Sequence, residues 1–178
     1  ETGLAVFAVH YFDAIPRANR AGVTRYFERD EIIGDAIDYV SSLHFVDHQR
    51  IGLFGYSLGA FQALERAHKD SRVRAVVAAA GGLDGRRTID QLGPMPPTLI
   101  LHGDRDGIVS VRRAHQVAQV LEAIGTPYEL EITRGTAHVP RGQAFDYWMS
   151  RAADFFHENL SLTDPVPTQT VLLRAPAR

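Results

Sequence analysis

The chain has 178 residues, with 19 basic against 21 acidic side chains and no cysteine. That length suits one domain with a sizeable core, and the missing cysteines exclude a disulfide scaffold, a thiolate zinc site and a cysteine nucleophile. The net charge is only −2, and the basic residues are scattered arginines apart from Lys69. This excludes a dedicated nucleic-acid or membrane-surface binder, and no apolar run approaches the ~18 residues of a membrane span. The chain opens on Glu1 with neither an initiator methionine nor a signal-peptide pattern. The expectation is a start inside a longer protein and a cytoplasmic location.

Short apolar runs alternate with helical patterns along the chain. Leu4–Tyr11 is almost continuously apolar, as in a strand buried on both faces. Residues 30–45 carry Ile33, Ile37, Val40 and Leu43 on one helical stripe, with Asp30 placed to cap it. A strand over Arg50–Phe54 and a helix from Leu58 to about His68 follow, the helix turning Phe61, Leu64 and Ala67 inward. Val73–Ala80 and Thr98–His102 are two further buried strands. Ser110 precedes a helical stripe of Val111, Ala114, Val117, Leu121 and Ile124, closed by Gly125 and Pro127. Tyr128–Ile132 alternates strictly, with two glutamates on one face, the pattern of a strand at or near a sheet edge. The last helix spans about Gln143–Leu160, with Phe145, Trp148, Met149, Ala152 and Phe156 on its stripe. Residues 163–178 carry three prolines and no period, so they form a flexible tail in which Val171–Leu173 can still dock. Strands separated by helices make βαβ units, and the expected fold is α/β, a mostly parallel sheet covered by helices on both faces over residues 1–162.

Gly55-Tyr56-Ser57-Leu58-Gly59 joins a strand directly to a helix. G-x-S-x-G in that setting is a nucleophile elbow: flanking glycines leave space for a sharp turn that presents the serine at the carboxyl end of the sheet. The Leu58 N–H, at the helix start, can donate to a developing oxyanion. Without catalysis, the same pattern is a small-residue turn that lets a helix pack close to a strand. A serine nucleophile needs a base, and the base an orienting carboxylate, in the chain order Ser, acid, His. Asp104 and Asp106 follow the strand ending at His102, and His138 follows the strand ending at Ile132. Both loops leave carboxyl ends of strands, where open α/β sheets bind ligands. The residues alone leave Asp104 and Asp106 open, since either can instead brace its loop through backbone N–H groups. His102, at the end of a buried strand, is expected to be a hydrogen-bonded structural residue. No histidine pair has metal-ligand spacing, and the D-x-D-G echo of a calcium loop lacks its later ligands.

RIGLFGYSLGAF around Ser57, LHGDRDGIV and GTAHVP resemble the α/β-hydrolase superfamily, and within it the dienelactone hydrolase-like family, over about Leu4–Leu160. The resemblance selects Asp106 as the acid, three residues after the glycine of the H-G-x-x-D segment. It implies a serine hydrolase acting on an ester or related acyl bond, with Ser57, Asp106 and His138 as catalytic residues and no cofactor or metal. The family's namesakes carry a cysteine nucleophile, so Ser57 points to a serine esterase rather than to dienelactones. The family also has five strands before the nucleophile. Two are found here, matching its fourth and fifth, so the expected sheet is truncated, with strands β4–β8 of the family, and completed by a missing N-terminal segment or another chain. The seventeen residues from Gly81 to Pro97 are too few for a lid, which leaves an open cleft with Tyr11, Tyr56 and Arg141 as substrate-binding candidates and Arg17 and Arg20 near its mouth. The alternatives are a peptidase or acyltransferase on the same fold, or a non-catalytic binding module that lacks the upstream oxyanion loop. The expected partner is a small ester or acyl substrate, not a nucleic acid or a membrane.

Overall fold

The computed structural model describes residues 3–10, 24–83, 93–160 and 170–173. The chain divides into two compact units, one of residues 1–48 and 162–178, the other of residues 49–161.

In the first unit, β1 (Val6–Val9) pairs in parallel with β6 (Thr170–Leu173), setting Val6 beside Thr170 and Val9 beside Leu173. The strand within Leu4–Tyr11 is therefore shorter than its apolar run. It is also not buried on both faces: Val6 is half exposed and the residues alternate. The physical reason is its partner, since a two-stranded ribbon lacks the neighbours that bury a central parallel strand. Phe7 stacks on Phe45, with ring centroids 6.4 Å apart. Helix α1 runs over Thr24–Ser41 and buries Ile33, Ile37 and Val40, spaced as one helical face requires. It begins before Asp30, which lies inside the helix rather than capping it, and it ends before Leu43.

The second unit is a four-stranded, wholly parallel sheet in the order β2-β3-β4-β5. Its strands are β2 (Ile51–Tyr56), β3 (Val73–Ala79), β4 (Thr98–Gly103) and β5 (Tyr128–Thr133). Strands β3 and β4 lie in the middle, and β4 is buried along its whole length, as its unbroken apolar run implies. β5, with its alternating pattern, forms one edge. β2 forms the other and has no further strand paired to it among the described residues.

Helix α2 (Leu58–Ala67) packs on β2 and β3, α3 (Arg112–Ala123) on β4 and β5, and α4 (Gln143–Asn159) on β3 and β4. Each helix departs in places from its expected apolar stripe. In α2, Leu64 and Ala67 are buried as expected, but Phe61 is half-buried while Gln62 and Glu65 are buried. Burial of Glu65 is tolerated because Lys69, one turn on, pairs with it at 2.8 Å. In α3, Val111 and Ile124 fall just outside the helix and are half-buried, whereas Ala118 joins the core. In α4, Trp148, Ala152 and Phe155 are buried, whereas Phe145, in the first turn of the helix, is half exposed. Phe156 is only half-buried, its ring lying against Gly52 of β2. The glutamates of β5 are not simply solvated: Arg151 of α4 forks onto Glu129 and Glu131, both at 2.7 Å, and ties the helix to the edge strand. Among the described residues no helix is long and apolar enough to cross a membrane.

Candidate active site

All four strands of the second unit point the same way, so the loops after β2, β4 and β5 share one rim of the sheet. Ser57, Asp106 and His138 sit on those three loops.

Ser57 stands between β2 and α2 with φ 53° and ψ −119°, a left-handed conformation rare for a residue with a side chain. Its N–H donates to the Ala79 carbonyl at 2.8 Å, which pins the strained residue to the end of β3. The turn is tight enough that a side-chain carbon at Gly55 would run into the Gly59 carbonyl, so the first glycine of the motif answers a steric demand. Leu58 opens α2, and its N–H has no partner among the described residues, as expected of the first turn of a helix.

His138 is buried, and its ring joins the other two residues. Nδ1 lies 2.7 Å from Asp106 Oδ2 and Nε2 lies 2.8 Å from Ser57 Oγ. The carboxylate accepts the Nδ1 proton, which leaves Nε2 with a lone pair to receive the Ser57 hydroxyl. The three residues, 81 and 32 positions apart in sequence, form one continuous hydrogen-bonded line.

Asp106 has a side chain wholly withdrawn from solvent. Oδ1 accepts the N–H groups of Ile108 and Val109, each at 2.8 Å, and Oδ2 faces His138. Burial, the largest influence, pushes its carboxyl pKa up. The hydrogen bonds from His138, Val109 and Ile108 together outweigh it and hold the group below the ordinary carboxylate range. Asp104 takes the bracing role: its Oδ1 accepts the Gly135 N–H at 2.6 Å and ties the acid loop to the loop that carries His138.

Two side chains enter this network in ways that sequence reading did not specify. His102, fully buried at the end of β4, brings Nε2 to 2.9 Å from the Val109 carbonyl and 3.2 Å from Asp106 Oδ2. A carbonyl only accepts, so Nε2 carries the proton, and the fork holds the acid loop from beneath. Nδ1 of the same ring is buried with no hydrogen-bond partner among the described residues. The available signal was spacing, since His102 stands four residues before Asp106 on the same strand-to-loop turn. Tyr56, expected at the substrate, sends its hydroxyl to the His138 carbonyl at 2.7 Å, and its ring lies 5.5 Å from the imidazole, centre to centre. Burial, and after it the Asp106 charge, raise the Tyr56 pKa above the usual phenol value, so the hydroxyl stays a donor through the neutral range.

Beside His138 opens a cleft of about 600 Å³ whose walls include Ile108, Ala137, Val139 and Ala144, with Arg141 at its side. Arg141 is exposed. Tyr11, Arg17 and Arg20 lie outside the described residues. Among the described residues no three histidines, aspartates or glutamates gather as a metal would need.

The model of the dienelactone hydrolase family matches residues 13–163. No curated protein sequence matches the chain significantly. Similar solved structures include esterase PE8, 21% identical with a TM-score of 0.66, which covers 75% of this chain and 61% of its own. The dipeptidyl peptidase 4 of Porphyromonas gingivalis is 20% identical with a TM-score of 0.63, covering 77% of this chain and 23% of its own. The putative dienelactone hydrolase of Klebsiella pneumoniae is 17% identical with a TM-score of 0.63, covering 83% of this chain and 72% of its own. These likenesses share the fold, and the chain spans about six-tenths of the length of esterase PE8.

Proposed function

The chain belongs to the dienelactone hydrolase family, and on that premise we propose that it is a serine hydrolase that cleaves an ester or related acyl bond through an acyl-enzyme. The observation that carries this reading is the unbroken pair of hydrogen bonds from Ser57 through His138 to Asp106. Ser57 Oγ attacks the substrate carbonyl as its proton passes to His138 Nε2, and Asp106 holds the imidazole tautomer and stabilises the imidazolium. His138 then protonates the leaving alkoxide. A water activated by the same nitrogen hydrolyses the acyl-enzyme, regenerating the serine hydroxyl and releasing the acid. The Leu58 N–H serves as one oxyanion donor. The reaction needs no cofactor.

Intact mass after exposure to a fluorophosphonate probe tests this. One adduct on the parent chain and none on Ser57→Ala is the expected result. A folded parent chain that takes up no probe overturns the proposal and favours a non-catalytic binding module. Turnover of p-nitrophenyl esters against peptide anilides then separates an esterase from a peptidase.

A further inference from the structure

The loop between β5 and α4 carries His138 between Gly135 and Gly142, both at positive φ, so its backbone has freedom that something must remove. Its first half is fastened from the acid loop: the Asp104 carboxylate takes the Gly135 N–H, and the Arg105 N–H donates to the Thr136 carbonyl at 3.0 Å. Neither contact reaches the peptide of His138 itself. That peptide is held by the Tyr56 hydroxyl, which donates to the His138 carbonyl at 2.7 Å across 82 positions of sequence. Tyr56 is also the residue directly before Ser57, whose own backbone is pinned to Ala79.

From this geometry we infer that Tyr56 is a positioning residue, its hydroxyl fixing the backbone of the base relative to the nucleophile beside it. The inference rests on the hydrolase reading above and gives Tyr56 a role other than gripping substrate. A hydroxyl committed to a backbone carbonyl has its one proton in use, and an imidazole whose main chain drifts cannot keep Nε2 at 2.8 Å from Ser57 Oγ. The raised phenol pKa agrees with this role, since ionisation would set two oxygens against each other.

The test is Tyr56→Phe, which keeps the ring and deletes only the hydroxyl. Expected are a kcat about three- to tenfold lower with KM unchanged, and a fluorophosphonate labelling rate lowered by the same factor, the size of one net hydrogen bond. The downfield proton resonance expected of His138 Nδ1–H on Asp106 should be sharp in the parent and broaden in Tyr56→Phe as the ring gains freedom. The parent's rate should also fall as the phenol ionises, at a pH above the ordinary phenol value, and Tyr56→Phe should lack that fall. A raised KM at parental kcat would make Tyr56 a substrate contact and overturn the inference, as would parental rates with a parental resonance. A parent that neither labels nor turns over defeats the hydrolase reading instead, and the proton resonance still decides whether Tyr56 holds the imidazole.

Discussion

Gly103, the last residue of β4, lies close against the loop that carries His138. A side-chain carbon built there would collide with the Thr136 carbonyl oxygen, lie 2.7 Å from the Thr136 carbonyl carbon and lie 3.1 Å from the Ala137 oxygen. These are backbone atoms and cannot swing aside as a flexible side chain would. Non-bonded carbons rest about 3.5–4.0 Å apart, so in Gly103→Ala the loop bearing His138 must retreat by about 1 Å. The Nδ1 to Oδ2 bond of 2.7 Å would then stretch past hydrogen-bonding distance. A misplacement of that size costs about 10²-fold in rate, and overpacking costs about 1–3 kcal/mol in stability. The thermal midpoint should fall by about 2–10 °C. Gly107, four residues on, is the control: its added carbon would meet nothing within 4 Å among the described residues, so Gly107→Ala should stay within about 0.5 kcal/mol of the parent. Fluorophosphonate labelling rates and thermal melts on both variants are the assay. A Gly103→Ala protein that labels and melts like the parent, or a Gly107→Ala protein that loses as much as Gly103→Ala, would refute the reasoning.

Two other substitutions probe the body of the second unit. Asp70 is bonded by Arg72 and Arg66, which hold its pKa far below the ordinary carboxylate value. A depressed native pKa adds stability that is present above the unfolded value near 3.9 and is lost as pH falls toward the native one. Asp70→Asn should therefore cost about 1–3 kcal/mol at pH 7, toward the low end because Arg72 is partly exposed, and its deficit in urea titrations should shrink below about pH 4. A deficit that is the same at pH 7 and pH 3 would show that the ion pairs are not its source. Gln62 is fully buried, and neither atom of its amide has a hydrogen-bond partner among the described residues. Gln62→Leu should therefore stabilise the protein by about 1 kcal/mol, read as a higher urea midpoint at constant slope, and a lower midpoint would mean that the amide is satisfied in solution.

Much of this protein is legible in local pattern. An unbroken apolar run announces β4 as a central parallel strand, and the strict alternation from Tyr128 announces β5 as an edge. The glycines around Ser57 announce a turn that only a strand-to-helix junction requires. Each of these is a short-range demand of backbone geometry or burial, written within about ten residues. Chain order then placed Ser57, an aspartate and His138 on loops at the carboxyl ends of three strands.

What local pattern leaves open are relations between positions far apart in the chain. The residues by themselves allowed either Asp104 or Asp106. The family resemblance favoured Asp106, and in the folded chain Asp106 faces the imidazole while Asp104 braces the neighbouring loop. The apolar run at Leu4–Tyr11 shows a strand but not its partner, which is β6, more than 160 residues on. Gln62, polar in any composition, is buried in α2, and Phe145, apolar in any pattern, is half exposed in α4. The bond from Tyr56 to the His138 carbonyl and the approach of Gly103 to Thr136 exist only once the parallel register of β2 through β5 brings their ends together. Periodicity records which side of an element seeks burial. The partner that side meets, and the atoms that touch at a shared rim, are set by tertiary packing.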